Sequence, residues 1–109
     1  METIQTIIQW HTETFPDATL AGQLEKFYEE EQEFIQDYDP TEFADMFIVA
    51  CGIARFSISD AIPKFAIIYN NMGASADSWG KFQELVDEKM RINRQRKWNK
   101  LNGQYKHKA

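Results

Sequence analysis

The chain has 109 residues, of which 43% are hydrophobic and 14% aromatic, and its formal net charge is −5. This length supports one domain with one core, and the composition excludes a disordered or low-complexity chain. The single cysteine excludes an internal disulfide, and the N-terminal residues lack a secretory signal pattern. No apolar run approaches the about 20 residues that span a bilayer. We therefore expect a cytoplasmic protein without a membrane partner.

Helical periodicity dominates the chain and predicts an all-α protein, a bundle of four to five helices. The predicted helices cover about residues 2–11, 20–38, 40–56, 59–71 and 77–98. The third has a strong start signal, with Asp39 as N-cap, Pro40 as first helical residue and Glu42 as capping-box partner. We expect residues 1–100 to form the domain and residues 101–109 to form a loose basic extension.

The third predicted helix is apolar on almost every side between Phe43 and Ile53. A helix of this kind must be buried on most sides. In so short a chain, the four other helices are of modest length and can bury only part of its apolar surface. We therefore expect a homodimer or a tetramer that is a dimer of dimers.

Carboxylates are concentrated from residue 29 to residue 45, where eight of seventeen residues are acidic. At about 100° of rotation per residue, Glu30 and Glu33 lie together at the flank of the apolar stripe of the second helix. The next helix repeats this spacing with Glu42 and Asp45. Four such oxygen ligands suit Mg²⁺, with Mn²⁺ as a substitute.

Other interpretations of the second acidic pair remain open. Glu42 is also the capping-box partner expected for Asp39. Asp45 lies in a helix built for burial and needs a positive partner, which Lys26 or Arg55 could supply instead of a metal ion.

The C-terminal part of the chain is strongly basic. Up to Glu88 there are 17 acidic residues against four Lys or Arg, a balance of −13, whereas the remaining residues include eight bases and no acid. On the last predicted helix, Lys89, Asn93 and Arg96 continue the inward face begun by apolar residues. They could hold phosphate oxygens, the helix could project into solvent, or the basic segment could bind nucleic acid.

Two segments together resemble the MazG-like all-α nucleoside triphosphate pyrophosphohydrolases. The first is the pair "EEEQE" and "EFAD", which end at Glu33 and Asp45, although the eight-residue gap between these halves is shorter than is usual in the family. The second is "EKMRINRQRKW", which is similar to the family's phosphate-binding segment. The lead-in "QWHTETFPDAT" is similar to that of short, phage-type members, so the cytoplasm could be that of a host cell.

The resemblance implies a Mg²⁺-dependent enzyme that cleaves a nucleoside triphosphate to the monophosphate and pyrophosphate, with a slight preference for purine deoxynucleotides. It implies metal ligation by four acidic residues, Glu30, Glu33, Glu42 and Asp45, with Glu33 and Glu30 as the catalytic carboxylates. It implies phosphate binding by Lys89, Asn93, Arg96 and Lys97. The base-binding candidates are Trp10, His11, Phe15 and Trp98, each of which could instead be a core or surface residue. The alternative function is a small regulatory or nucleic-acid-binding helical module that uses the basic C-terminus.

Overall fold

Five helices and a short C-terminal hairpin make up the fold. The computed structural model describes residues 1–73, 76–96, 98–101 and 104–107. The helices are α1 (Ile4–Thr14), α2 (Leu20–Asp37), α3 (Thr41–Phe56), α4 (Ile58–Met72) and α5 (Ala76–Gln95). Strand β1 (Trp98–Leu101) pairs antiparallel with β2 (Gln104–His107), and β2 lies within residues 101–109, for which the sequence predicts a loose extension. The all-α class with five helices is confirmed, and none of the described helices has the length and apolarity needed to cross a membrane.

Helix α3 is the centre of the fold. It packs against each of the other four helices, and nine of its sixteen residues are buried. Its apolar sequence is therefore explained by cover from within the same chain. Helix α3 therefore does not need a second copy of the chain to bury its apolar surface, and the oligomeric state stays a prediction.

Short polar side chains fix where the helices begin. Thr3 and Thr6 form a reciprocal capping box at α1, and the hydroxyl of Thr19 accepts the Gly22 N–H at 3.0 Å at the start of α2. At α3 the N-cap is Pro40 and not Asp39, so the expected capping box between Asp39 and Glu42 is absent, and the Asp39 carboxylate accepts the Thr41 N–H at 3.0 Å. The Glu42 side chain is thereby left available for other contacts.

The N-terminal residues are bound to α5. The Glu2 carboxylate accepts two hydrogen bonds from the Arg94 guanidinium, at 2.8 and 3.0 Å. The Glu2 backbone N–H donates to Asp87 at 2.8 Å, and the Gln83 amide donates to the Glu2 carbonyl at 2.9 Å. These contacts tie the residues that precede α1 to α5.

The one cysteine of the sequence, Cys51, is fully buried in α3. Burial raises the pKa of its thiol to about 12. A thiol that stays protonated and inaccessible is unreactive, so Cys51 acts as a small apolar core residue.

Candidate metal and phosphate site

Three glutamates from two consecutive helices form one cluster. Glu30 and Glu33 of α2 and Glu42 of α3 each place a carboxylate oxygen within 4.8 Å of the others. Glu30 is buried, Glu42 is half-buried and Glu33 is exposed. The glutamate cluster therefore extends from the helix interface to the surface.

The connection between α2 and α3 makes this approach possible despite its short length. Tyr38 adopts a left-handed conformation with φ of 53°, which ends α2, and its N–H donates to the Phe34 carbonyl. Only residues 38–40 separate the two helices. The short gap between the two acidic motifs is thus compatible with a shared site, because a tight connection places the end of α2 next to the start of α3.

The carboxylates of the cluster repel one another, although the Lys26 ammonium lies 3.3 Å from Glu30. Burial, followed by the nearby carboxylates of Asp45 and Glu30, raises the pKa of Glu42 to about 8. Desolvation and then Glu30 also raise the pKa of Glu33. Among the described residues, the Glu42 Oε2 atom is buried and has no hydrogen-bond partner. An unpaired acceptor among like charges fits a small divalent cation, which would satisfy it and relieve the repulsion.

Asp45 borders the cluster but has a separate partner. Its Oδ2 atom lies 3.4 Å from the Lys89 Nζ atom of α5. Burial raises the pKa of Asp45, and the Lys89 ammonium opposes that rise. The partners considered from sequence are engaged elsewhere, since Lys26 lies 3.3 Å from Glu30 and Arg55 donates to the Phe15 carbonyl at 2.8 Å.

The predicted phosphate-binding residues are brought together only in part. Lys89 is half-buried and Asn93 is buried, as expected for an inward face of α5. Arg96 is exposed because α5 ends at Gln95, so the expectation that Arg96 continues the inward face is wrong. Its guanidinium nevertheless lies 3.5 Å from the Asn93 side-chain oxygen, and Lys97 lies outside the described residues.

The four base-binding candidates form a single aromatic cluster. The rings of Trp10 and Trp98 each lie 5.2 Å, centroid to centroid, from that of Phe15, and His11 lies 5.0 Å from Phe15 on another side. Trp10, Phe15 and His11 are buried, whereas Trp98 is half-buried. The Trp98 indole N–H donates to the Asn93 carbonyl at 3.3 Å, which joins the aromatic cluster to the polar face of α5.

His11 belongs to a buried polar network that sequence reasoning missed. Its Nδ1 lies 3.0 Å from a guanidinium nitrogen of Arg55, which can only donate, so Nδ1 accepts and the proton of the neutral ring is on Nε2. Burial and the Arg55 charge lower the pKa of His11 to about 4, and a hydrogen bond with Gln23 opposes that shift. Of the positions that the sequence leaves open for His11, the surface one is excluded, because the ring is buried and its partners come from α2 and α3. The inward position of Gln23, one turn before Phe27, was the available signal.

Comparisons of this chain with protein-family models, with curated proteins and with solved structures found no match.

Proposed function

We propose that this chain is a cytoplasmic, Mg²⁺-dependent pyrophosphohydrolase that cleaves a nucleoside triphosphate, preferably a purine deoxynucleotide, to the monophosphate and pyrophosphate. The observation that carries the proposal is the glutamate cluster, with its three carboxylates in mutual reach and the buried, unpaired Oε2 of Glu42. Glu30, Glu33 and Glu42 would hold Mg²⁺, or Mn²⁺ in its place, with Asp45 as a fourth ligand.

The carboxylates divide the chemistry according to their exposure. A bound divalent ion would neutralise charge on the triphosphate and polarise its phosphoryl oxygens. Glu33 is the exposed member and can accept a proton from a water molecule. Buried Glu30 would help to hold the metal ion in position. The water oxygen forms a bond to the α-phosphorus, the bond from that phosphorus to the bridging oxygen breaks, and pyrophosphate leaves.

The polar face of α5 supplies the phosphate contacts. Lys89 offers a point charge beside Asp45, and Asn93 offers an amide at the same face. Arg96, in contact with Asn93, adds a planar donor from the helix end, and Lys97 is a further candidate. These donors and the glutamate cluster together match the mixed charge of a metal–triphosphate complex.

The aromatic cluster is the proposed base site. Trp98 is its half-buried member and is the ring that we expect to contact a nucleobase. Buried Trp10 and Phe15 each make an edge contact with it, and His11 makes an edge contact with Phe15. A large indole surface favours the larger purine bases, because stacking energy increases with the area of contact.

The direct test is to incubate the protein with each of the common NTPs and dNTPs and Mg²⁺, and to identify the products. Pyrophosphate with a monophosphate is expected, whereas phosphate with a diphosphate would contradict the proposed bond cleavage. Removal of the divalent ion with EDTA should abolish turnover, and Mn²⁺ should restore it.

Single substitutions can distinguish a loss of the metal site from a loss of folding. Glu42→Gln and Asp45→Asn should each reduce turnover more than about 100-fold, since loss of even an outer-shell partner typically costs 10–100-fold. Their helical circular dichroism should be unchanged. Glu25→Gln, an equivalent substitution at an exposed position of α2, is the matched control and should retain full activity.

A homodimer or tetramer remains part of the proposal, now on a different surface. Helix α4 exposes an uncharged apolar flank that includes Ile58, Ile62 and Tyr69, at 65%, 60% and 56% of their full accessibility. Two such flanks from two copies can cover each other. Sedimentation velocity at micromolar concentration should show an oligomer that Ile62→Asp converts to monomer; a monomeric wild type would contradict this part.

The alternative, a nucleic-acid-binding module, has less support. In the described part of α5, Lys89, Arg91 and Arg94 are each paired with an acidic residue of the same chain. Phosphate-backbone binding would instead need free cations and would weaken steeply with salt. A salt-dependent shift of labelled DNA or RNA, without nucleotide turnover, would favour this alternative.

A further inference from the structure

The Asp45–Lys89 ion pair conflicts with the roles proposed for both residues. Asp45 would be the fourth metal ligand, yet it lies outside the set of carboxylates that approach within 4.8 Å. Lys89 would hold phosphate, yet its Nζ atom is 3.4 Å from Asp45. Neither residue can take its proposed role while the pair is intact.

The pair is placed so that it can open. The Asp45 and Lys89 side chains are 25% and 32% exposed, so both are partly open to solvent. They come from α3 and α5, so separation needs only side-chain rotation of a long lysine stem. Partly exposed pairs of this kind are weak, which makes exchange of partners easy.

We propose that the Asp45–Lys89 ion pair couples binding of the divalent cation to binding of the triphosphate. This inference rests on the proposed function. A cation that enters the glutamate cluster competes with the Lys89 ammonium for Asp45. Once displaced from Asp45, the Lys89 ammonium is available to bind a phosphate oxygen. Each ligand therefore increases the affinity for the other, and thermodynamic linkage requires the same factor in both directions.

The first experiment uses Mn²⁺ alone, with free Mn²⁺ measured by electron paramagnetic resonance. Lys89→Gln should bind Mn²⁺ about fivefold more tightly than wild type, since a competing cation is gone. Lys81→Gln, which removes an exposed lysine from the same helix, is the control and should match wild type. Unchanged or weaker Mn²⁺ binding by Lys89→Gln would overturn the proposal.

A double-mutant cycle shows whether the effect passes through Asp45. In an Asp45→Asn background, Lys89→Gln should change Mn²⁺ affinity less than about twofold, because the shared partner is already gone. Equal tightening in both backgrounds would show a general effect of positive charge and would overturn the proposal.

The second experiment measures affinity for an α,β-imido deoxynucleoside triphosphate with and without Mn²⁺, after correction for the Mn²⁺ complex formed in solution. Wild type should show Mn²⁺-enhanced binding, and Lys89→Gln should lose most of the enhancement. A wild type that binds no Mn²⁺ would overturn both this inference and the proposed hydrolase. Normal Mn²⁺ binding and turnover with an unchanged enhancement in Lys89→Gln would overturn the coupling alone.

Discussion

Gly52 of α3 approaches the imidazole of His11 so closely that no side chain fits between them. A Cβ atom at Gly52 would lie 2.8 Å from His11 Nε2 and 2.7 Å from Gln23 Oε1. Both neighbours are buried and bonded within the His11 network, so neither can move away without losing a partner. This close packing joins α1, α2 and α3 at one point.

Gly52→Ala should therefore destabilise the protein by about 1–3 kcal/mol, because overpacking outweighs the better helix propensity of alanine. Gly80→Ala is the matched control, since Gly80 is a helical glycine with open space around its Cα atom. That control should stabilise the protein by up to about 1 kcal/mol. Urea unfolding of both variants checks the pair, and equal effects would contradict the assigned contact.

Arg55→Gln should lower the free energy of unfolding by about 1–3 kcal/mol, because it leaves the buried Nδ1 of His11 without its donor and removes one of the donors to the Phe15 carbonyl, which also accepts the Ala18 N–H at 3.1 Å. Arg91→Gln is the comparison: Arg91 is bonded to Glu88, but both side chains are more than half exposed. A much smaller change is expected there, because solvent screens an exposed ion pair. Similar losses in the two variants would contradict the structural role given to Arg55.

His11 should make the protein less stable in acid. Its folded-state pKa of about 4 lies below the ordinary value of 6.5, so the neutral ring is favoured in the folded state. Above pH 6.5 neither state is protonated and His11 has no effect. Between pH 6.5 and 4 the unfolded state takes up a proton that the folded state does not, and stability falls as the pH is lowered. Nuclear magnetic resonance should show a neutral His11 ring at pH 5.5.

Glu42 should make the protein less stable as the pH rises, which is opposite to the effect of His11. Its folded-state pKa of about 8 lies above the ordinary 4.5, so the folded state holds a proton that the unfolded state releases between these values. Stability is therefore greatest below pH 4.5 as far as Glu42 is concerned, and falls as the pH rises towards 8. In the absence of metal, Glu42→Gln should raise the melting temperature at pH 8.5 and have a much smaller effect at pH 4.5.

The two titrations overlap between pH 4.5 and 6.5, so the Glu42→Gln background is the place to measure the contribution of His11 alone. Glu25→Gln should have the same melting temperature as wild type at pH 8.5 and at pH 4.5, since Glu25 is exposed on α2. Added Mg²⁺ should stabilise the wild type and not Glu42→Gln, because a ligand stabilises the state that binds it. If Glu42→Gln changed the melting temperature equally at both pH values, the assignment of a raised pKa to Glu42 would be contradicted.

Local patterns in the sequence are sufficient to predict the helices and part of the candidate site. The periodicity of α2 and α3, and the turn residues between them, predicted both helices to within one residue at each end. The spacing of Glu30 and Glu33 was enough to predict that they are neighbours, because residues three apart share a helix face.

Contacts between distant segments were not predictable in this way. The partner of Asp45 is Lys89, 44 positions away, whereas the residues considered from sequence were nearer in the chain. Arg96 was misplaced because the end of α5 at Gln95 has no strong stop signal, and helix ends are the least certain part of a sequence-based assignment. The burial of His11 depends on Gln23, Gly52 and Arg55, which only the packing of three helices brings together.

The buried thiol of Cys51 also gives the protein an intrinsic reporter of unfolding. Because the sequence contains one cysteine and the structure encloses it completely, a maleimide or disulfide reagent can label the chain only when α3 separates from its neighbours. The rate of labelling in native buffer therefore measures how often that core opens, with no dye or mutation introduced.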